Sequence, residues 1–342
     1  MPLVSIVIDN FNYERFLADA VESALAQTHA DTEVVVVDDG STDGSRALLE
    51  RWQGRIRVVL QPNGGQAAAL NAGWEASRGE LVLLLDADDR LHPWAAAQVA
   101  AAAAATEAGT FWAPLDMVDE ARAPLGRRLP TDALPAGDLS ARVLRGEPCP
   151  APPTSGLAFR RAAVVELFPI PAEWRISADA YLNVAAPLLA PVAALARPAG
   201  QYRVHGANRW APTDGVDVAW LRRALAVDRD QERAVRRVAD RIERPLGGGD
   251  WRLCDPEHVQ ARLASLRLDP AGHPEPDDRA LTLALHGVRS ALACRSYAPR
   301  KRALFAAWFL ALAAAPRASA ARLVELGYHA ARRPALLRRL LA

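Results

Sequence analysis

A short acidic segment offers the most specific chemistry in the sequence. Asp86-Ala-Asp-Asp89 directly follows the apolar run 81–85. Three carboxylates this close together repel one another unless a cation or hydrogen-bond donors compensate their charge. Strand alternation places Asp86 and Asp88 on the same side, where their oxygens can share one Mg²⁺ or Mn²⁺. The alternative is a turn from a strand into a helix, with an aspartate as the helix cap.

A second pair of aspartates, Asp38 and Asp39, ends the valine run 34–37. The residues that follow are typical of a turn, and Ser41 or Asp43 would cap the next helix. Capping does not account for two successive aspartates at the end of a strand. Their carboxylates can accept hydrogen bonds from a nucleobase N–H group or from a ribose hydroxyl.

The elements that must position these aspartates alternate between strand and helix. This alternation predicts an α/β fold with a mostly parallel sheet and helices on both faces. Such sheets bind ligands at the carboxyl ends of their strands, and three of the four predicted strands end at Asp9, Asp38 and Asp86. Phe11, just past the first strand, offers a ring for stacking a base, with core packing as the alternative. The predicted strands are 4–8, 34–37, 56–60 and 81–85, and the predicted helices are 13–27, 45–52, 67–77 and 95–105.

The middle of the chain has fewer regular patterns. Residues 114–153 are rich in proline and glycine and are interpreted as a loop-rich stretch that flanks an open acceptor cleft. Helices are predicted at 161–167 and from Ser177, and a strand at 192–196. We place a domain boundary at 212, with the nucleotide-binding half at 1–110 and the acceptor half at 111–212. Residues 213–342 are predicted to form a helical C-terminal region.

Composition excludes several classes of protein. The 342 residues are 51% hydrophobic and 24% charged with a net charge of +1, which is incompatible with a wholly disordered chain. Residues 1–100 carry 15 acidic and 7 basic side chains, and this acidic front disfavours nucleic-acid binding. Three widely spaced cysteines favour a reducing, cytoplasmic location, and the sequence has neither a signal-peptide pattern nor an apolar run of about 20 residues.

Four segments within the first 90 residues resemble the family 2 inverting glycosyltransferases, which have the GT-A fold, a Rossmann-like nucleotide-binding domain. The resemblance is strong over 1–110, weaker over 150–210 and absent beyond 215. It implies a nucleotide-diphosphate sugar as donor, with UDP favoured, and a saccharide or lipid-linked acceptor in bacterial polysaccharide or glycolipid synthesis. The matching segments are Val4-Ser-Ile-Val-Ile8, Val37-Asp-Asp-Gly-Ser-Thr-Asp43, Asn63-Gly-Gly-Gln-Ala-Ala-Ala-Leu-Asn-Ala-Gly73 and Leu85-Asp-Ala-Asp-Asp89.

The resemblance also implies roles at the donor end. Asp39 resembles the carboxylate that reads the base, and Phe11 takes the place of the usual stacking tyrosine. Asp86 resembles the ribose-side aspartate and Asp88 the ligand of the Mn²⁺ or Mg²⁺ ion beside the diphosphate. The family's first strand usually ends Pro-Thr-Tyr-Asn, whereas this one ends Asp9-Asn-Phe-Asn12. The predicted nucleotide-binding residues are Asp9, Phe11, Asp38, Asp39, Asn63, Gly65, Asp86 and Arg203.

Two later segments complete the resemblance. Asp179, in Ser-Ala-Asp-Ala-Tyr, resembles the catalytic base of an acceptor-side Glu-Asp motif, although here Ala178 precedes it. Tyr202-Arg-Val-His205 resembles a late Tyr-Arg-x-His segment, in which Arg203 and His205 would face the diphosphate and the metal. The alternatives are a helix-capping role for Asp179 and a hydrogen-bonded loop histidine at 205.

These residue types suit displacement of a nucleoside diphosphate from a sugar carbon. A divalent ion offsets the charge that develops on the leaving phosphate, and one carboxylate can deprotonate the attacking hydroxyl. A single in-line step inverts the anomeric carbon. Two other functions remain open. A sugar-1-phosphate nucleotidyltransferase would need a glycine-rich basic loop after the first strand, where this chain has Asp9-Asn-Phe-Asn12. A non-catalytic, membrane-attached nucleotide-sugar-binding module would not need the complete acidic set.

The C-terminal segment 300–342 carries nine basic side chains and one acidic side chain, Glu325. Its apolar stretch 303–315 is too short to span a bilayer. The pattern is typical of interfacial helices whose arginines meet anionic lipid headgroups. The alternative is a helical bundle with solvated arginines. Under the first interpretation the protein is peripheral on the inner face of the cell membrane.

Overall fold

The computed structural model describes residues 1–206, 208, 216–246, 250–294 and 296–328. The chain divides into two units. The first unit contains Met1–Ser140 and Cys149–His205. The second contains Ala141–Pro148 and the described residues from 206 onward.

The first unit contains two sheets. The larger has seven strands in the order β10-β6-β9-β4-β1-β2-β3, and the smaller has four in the order β5-β11-β7-β8. In the larger sheet β3, β2, β1 and β4 run parallel, while β9 is antiparallel to β4 and β6. The strands are β1 (Val4–Asn10), β2 (Thr32–Asp39), β3 (Arg57–Gln61), β4 (Leu81–Asp86), β5 (Arg90–Leu91), β6 (Thr110–Trp112), β7 (Leu115–Asp119), β8 (Pro124–Leu129), β9 (Leu157–Arg160), β10 (Val192–Ala194) and β11 (Gly200–Val204).

Helices flank the larger sheet, which confirms the predicted α/β architecture. The central strands β1, β2 and β4 are buried almost throughout, which explains their uninterrupted apolar sequences. Gly73 packs so closely on Val7 of β1 that a Cβ atom there would lie 2.2 Å from the valine Cγ1. The helices within residues 1–205 are α1 (Glu14–Leu25), α2 (Ser45–Leu49), α3 (Gln66–Ala76), α4 (Ala95–Ala105), α5 (Ser140–Leu144), α6 (Arg161–Val164) and α7 (Ala178–Leu189). Of these, α5 belongs to the second unit from Ala141 onward.

The segment 114–153 is more regular than the sequence predicts. It contains β7 and β8, which form an antiparallel pair and belong to the smaller sheet. The interpretation of this segment as loop-rich therefore missed the two strands at 115–119 and 124–129 and the short helix at 140–144. Its sequence hides the strands because β8 is almost wholly exposed and carries glycine and arginine in place of alternating apolar residues.

The second unit is a helical bundle, as predicted for the C-terminal region. Its helices are α8 (Val218–Arg241), α9 (Pro256–Leu268), α10 (Ala280–Ala293), α11 (Pro299–Ala314) and α12 (Arg317–Tyr328). Phe309 and Leu312 of α11 and Val324 of α12 are buried in its core. The apolar stretch at 303–315 is therefore part of a packed bundle.

Residues 329–342 of the basic C-terminal segment lie outside the described residues. Within the described part of the chain, no helix is both long enough and apolar enough to cross a membrane.

Candidate active site

The predicted aspartates converge at one edge of the seven-stranded sheet. Strand β1 pairs with β2 on one side and with β4 on the other, so the three strands end side by side. In this register Asp9 lies opposite Asp86, and Asn10 lies opposite Asp38. The sheet topology thus brings together carboxylates that are up to 77 positions apart in the sequence.

The acidic segment after β4 forms a compact group of oxygen ligands. Ligand oxygens of Asp86, Asp88 and Asp89 all lie within 4.8 Å of one another. Burial raises the pKa of both Asp86 and Asp89 well above the usual value, and the neighbouring carboxylates add to the effect. A divalent cation would relieve this repulsion, and an all-oxygen donor set fits Mg²⁺ or Mn²⁺.

Within this group, Asp89 is held in place by hydrogen bonds from the protein. One of its oxygens accepts a hydrogen bond from Ser155 Oγ at 2.6 Å, and the other accepts one from the backbone N–H of Arg203 at 2.9 Å. Because both oxygens are bonded to protein donors, Asp86 and Asp88 are the better ligand candidates. Asp9 adds a further buried carboxylate whose Oδ1 has no hydrogen-bond partner among the described residues. Burial and the charge of Asp88 raise the pKa of Asp9 to about 7.

His205 lies beside Asp88, with 3.0 Å between its Nε2 and the Asp88 Oδ2. Its ring packs against Phe16 at 4.9 Å and edge-on against Tyr13 at 5.9 Å between centroids. The contact with Asp88 agrees with the alternative interpretation, in which His205 is a hydrogen-bonded loop histidine. The same contact places His205 where it can share a cation with Asp88. Burial and the charges of Asp88 and Asp86 raise the pKa of Tyr13, which also hydrogen-bonds Asp88.

Arg203 supports the backbone of the acidic segment. The side chain is only 5% exposed, and its Nε donates to the backbone carbonyl of Asp88 at 2.9 Å. Its terminal nitrogens donate to the carbonyl of Glu120 and to the Asp19 carboxylate, at 3.0 and 2.7 Å. The guanidinium thus positions Asp88 through the backbone, and a contact with a diphosphate remains a prediction.

Asp39 organises the loop that follows β3. Its Oδ1 accepts hydrogen bonds from Gln61 Nε2 and the backbone N–H of Gly64, and its Oδ2 accepts one from the N–H of Gly65. Gly65 has φ +85°, and a Cβ atom there would lie 2.5 Å from the carbonyl oxygen of Arg175. A glycine is required at this position. Asn63 in the same loop accepts a hydrogen bond from the Arg175 guanidinium at 2.9 Å.

Asp38 is fully buried and bonded to the protein. Its carboxylate accepts hydrogen bonds from Arg46 Nε, Asn10 Nδ2 and the backbone N–H of Ser41. Burial alone would raise the pKa of Asp38, but hydrogen bonds from Ser41, Arg46 and Asn10 outweigh it and lower the pKa. Of the two predicted caps, Asp43 accepts from the N–H of Ser45 at the start of α2, whereas Ser41 bonds to the segment after β1.

Phe11 is on the surface. Its side chain belongs to a segment in which Asn12 adopts φ +59°, and the residue is 42% exposed. The core-packing alternative for Phe11 is therefore wrong. An exposed ring directly after the end of β1 is available for stacking.

Asp179 lies in the first turn of α7. The preceding Ser177 has φ +60°, a left-handed conformation that costs energy for a serine. Asp179 Oδ1 accepts a hydrogen bond from the N–H of Ala180, so a local role at the helix start is real. Burial raises the pKa of Asp179 to about 6. Its charge in turn raises the pKa values of Asp86 and Tyr202, which places it in the same electrostatic environment as the acidic segment.

Gln66 connects the two halves of the site, and it is absent from the residues predicted individually. Its Nε2 donates to Asp86 Oδ1 at 3.0 Å and to Thr154 Oγ1 at 3.2 Å. Its Oε1 accepts the backbone N–H of Ala178, the residue before Asp179, at 2.9 Å. One side chain thus links the acidic segment to the start of α7. The available sequence signal was its place in the matched segment after Gly65.

We expect Gln66→Ala to destabilise the protein by about 1–3 kcal/mol, because a buried carboxylate and a backbone N–H both lose a partner. Gln66→Glu should destabilise it further in metal-free buffer, since it places another carboxylate against Asp86. Denaturant unfolding measures both. Gln98→Ala is the matched control, because the Gln98 amide nitrogen has no hydrogen-bond partner among the described residues. Equal stability of the parent and Gln66→Ala would contradict the bridging role.

Comparison with protein families gives a match over much of the first unit. Residues 5–168 match the family model described as Glycosyl transferase family 2. The chain is similar to an uncharacterized glycosyltransferase, alr2836, of Nostoc sp., with 37% identity over 211 residues. That alignment covers 60% of this chain and 66% of the relative.

A second relative is the hyaluronan synthase of Pasteurella multocida, with 41% identity over 96 residues. The alignment covers 27% of this chain and 10% of that enzyme. The chain therefore spans less than two thirds of each of these relatives.

A solved structure shares the fold. The crystal structure of S. aureus TarS 1–349 in complex with UDP-GlcNAc has a TM-score of 0.55 with 17% sequence identity. The match covers 95% of this chain and 91% of that one. The first unit accordingly has a GT-A-like fold, a parallel-rich central sheet with flanking helices.

Proposed function

We propose, on the premise that residues 5–168 form a family 2 glycosyltransferase domain, that the chain transfers a sugar from a nucleotide-diphosphate donor to an acceptor hydroxyl with inversion. The observation that carries this proposal is the Gln66 side chain, which bridges Asp86 to the start of the helix that bears Asp179. A donor-side metal group and a candidate base are thereby held in a fixed relation. UDP is the favoured nucleotide, and a saccharide or lipid-linked hydroxyl is the favoured acceptor.

The residues at the ends of β1, β2 and β4 would hold the donor. The exposed ring of Phe11 would supply a stacking surface, and Asp39 holds the loop that contains Asn63 and Gly65 at the end of β2. Asp39 accepts three hydrogen bonds and can take about one more, the bond that a base N–H would make. Asp86 and Asp88, with His205 beside Asp88, would hold Mn²⁺ or Mg²⁺, which when bound would offset charge on the departing diphosphate.

Asp179 would act at the acceptor. Its deprotonated carboxylate would accept the proton of the attacking hydroxyl as the new bond to the sugar carbon forms. The nucleoside diphosphate would leave from the opposite face, so a single displacement would invert the configuration. Arg203, Asp89 and Gln66 are positioning residues in this scheme, because they act on the acidic segment and on α7 through hydrogen bonds.

The rate of transfer is expected to rise with pH through about 6 and then level off. Burial raises the pKa of Asp179 to about 6, so below that pH the carboxyl is protonated and cannot accept a proton. The rate should fall about tenfold per pH unit on the acidic side. The charge of Asp179 in turn raises the pKa values of Asp86 and Tyr202.

The measurement is the turnover of saturating donor against pH, with donor binding measured separately over the same range. The separate measurement is needed because Asp9, whose pKa is about 7, lies at the donor end. A turnover rate that stays constant between pH 5 and pH 7 would remove Asp179 from the role of base.

Proton NMR of donor turnover tests the proposed reaction. The chain is incubated with Mn²⁺, individual UDP- and GDP-sugars and a mixture of saccharide acceptors. We expect nucleoside diphosphate to be released from one donor, and the anomeric signal of the product to show the configuration opposite to that of the donor. A product with retained configuration would contradict the single displacement, and release of a sugar phosphate would indicate nucleotidyl transfer.

Both alternative functions have less support. Asp9 near the end of β1 and the exposed Phe11 just after it belong to a stretch, residues 9–14, that has no arginine or lysine for triphosphate binding, which disfavours a nucleotidyltransferase. A module that only binds nucleotide sugars would have no use for a half-buried carboxyl with a raised pKa at the start of α7. The pKa of Asp179 is raised to about 6 by burial, a value suited to proton transfer near neutral pH.

The proposed setting is the synthesis of a bacterial polysaccharide or glycolipid. The support is the similarity to relatives such as the hyaluronan synthase, over a small part of that enzyme. We place the catalytic domain on the cytoplasmic side of the membrane, where nucleotide sugars would be available and the three free cysteines would stay reduced.

A further inference from the structure

Four exposed leucines lie on two adjacent helices of the bundle. Leu281, Leu285 and Leu292 of α10 and Leu310 of α11 are between 48% and 67% exposed. Among the described residues, the other large exposed hydrophobic side chains all lie in the first unit. The second unit thus concentrates its exposed leucines within 30 consecutive positions. We call these four side chains the outer leucines.

Three of the outer leucines, Leu281, Leu285 and Leu292, form a stripe on α10. Positions 281, 285 and 292 fall within about 40° of one another around a helix with 100° per residue. The opposite side of α10 carries the buried Leu283, Gly287 and Ala291 and packs into the core. A Cβ atom at Gly287 would lie 2.3 Å from the Phe309 ring of α11, so the two helices are in close contact. The stripe therefore faces away from the core of its own unit.

The outward side of α11 is apolar as well. Ala303, Ala307, Leu310 and Ala314 are exposed and follow each other at helical spacing, whereas Phe309 is buried. Neither stripe is an extension of the bundle core. A monomeric soluble bundle would usually cover such positions with mixed polar residues.

The charge within the segment that carries the stripes is of one sign only, and Asp277 and Asp278 directly precede this segment. Residues 279–324 contain eight arginine or lysine residues and no aspartate or glutamate. Arg289, one turn from Leu292, and Arg300, on the same side of α11 as Leu310, are both exposed. No described carboxylate forms a salt bridge with either of them. Apolar side chains next to cations without ion-pair partners are complementary to a surface that is negatively charged on its outside and apolar beneath.

We propose that the outer faces of α10 and α11 form a docking surface for an anionic lipid bilayer. The outer leucines would insert between the acyl chains near the headgroups, and Arg289 and Arg300 would contact the lipid phosphates. A protein partner would be expected to need a mixed pattern of charges on this surface. The complete lack of acidic residues over 279–324 favours the bilayer.

Vesicle co-sedimentation of the full chain tests this surface without involving catalysis. We expect the parent to bind vesicles of phosphatidylcholine mixed with phosphatidylglycerol at least tenfold more tightly than vesicles of phosphatidylcholine alone, and binding should weaken as salt rises. The variant with all four outer leucines replaced by glutamine should bind the anionic vesicles at least tenfold less tightly. Glutamine is used because it preserves helix propensity.

The matched control is Leu60→Gln with Leu125→Gln, which removes two exposed leucines of the first unit. It should bind vesicles as the parent does. Parent-like vesicle binding by the four-leucine variant would overturn the proposal, as would failure of the parent to bind anionic vesicles at low salt.

Light scattering without lipid provides a further test. A parent dimer that the four-leucine variant converts to monomer would show that a second copy covers this face, and would also overturn the proposal. Nucleotide binding should be equal in all these proteins, so failure here is separate from failure of the transferase proposal.

Discussion

Replacing Asp88 by alanine is expected to weaken Mn²⁺-dependent binding of nucleoside diphosphate by about 100-fold or more, because the proposed ligand of the cation is lost. Asp88 is the aspartate of the acidic segment that contacts His205, and its backbone carbonyl is held by Arg203. The side chain can therefore be removed while the hydrogen bond to its backbone remains. Calorimetric titration of UDP, with Mn²⁺ and with a chelator, measures the effect.

The same variant should fold at least as well as the parent in metal-free buffer. Asp88→Ala loses hydrogen bonds to His205 and Tyr13 but also removes one of several mutually repelling carboxylates. Asp116→Ala is the matched control, since Asp116 forms ion pairs with His92 and Arg128 on the smaller sheet. Unchanged Mn²⁺-dependent binding in Asp88→Ala would exclude Asp88 as a ligand.

Replacing Asp179 by asparagine is expected to lower the rate of transfer by about 10²-fold or more, while donor affinity stays near that of the parent. Asparagine keeps the oxygen that accepts the N–H of Ala180, so the start of α7 should be preserved. It cannot accept the proton of the acceptor hydroxyl. Steady-state kinetics should therefore show a loss in kcat with little change in the donor KM.

Asp138→Asn controls for loss of an aspartate at the start of a helix. Asp138 accepts a hydrogen bond from the N–H of Ser140, as Asp179 does from that of Ala180. This variant should retain the parent rate. A parent rate in Asp179→Asn would assign the base to another residue, and an equal loss in both variants would indicate a structural effect.

The sheet and the position of the site could be predicted because both are encoded locally. Buried parallel strands need apolar residues on both faces, so 34–37 and 81–85 are recognisable as strands without any tertiary information. The aspartates that end these strands had to meet at one edge once the strands were parallel. Helical patterning likewise predicted a C-terminal region of helices.

Long-range partners could not be predicted in the same way. The Gln66 bridge joins residues 20 and 112 positions away, and a glutamine at a helix start has no distinctive pattern. From its residue type, Arg203 is expected to bind an anion such as a diphosphate. In the structure its guanidinium donates hydrogen bonds to the Asp19 carboxylate and to the backbone carbonyls of Asp88 and Glu120. The β7–β8 pair was hidden because an exposed strand at a sheet edge need not alternate.

The most direct test of the account is whether the chain binds a nucleoside diphosphate together with a divalent cation. Thermal unfolding of the parent is followed with UDP, GDP and their sugar conjugates, each with Mn²⁺ and with a chelator. Because a ligand that binds only the folded state stabilises it, we expect one nucleotide with Mn²⁺ to raise the Tm by more than the nucleotide and Mn²⁺ do separately. An unchanged Tm with every nucleotide and nucleotide sugar, at concentrations that saturate typical donor sites, would contradict the account.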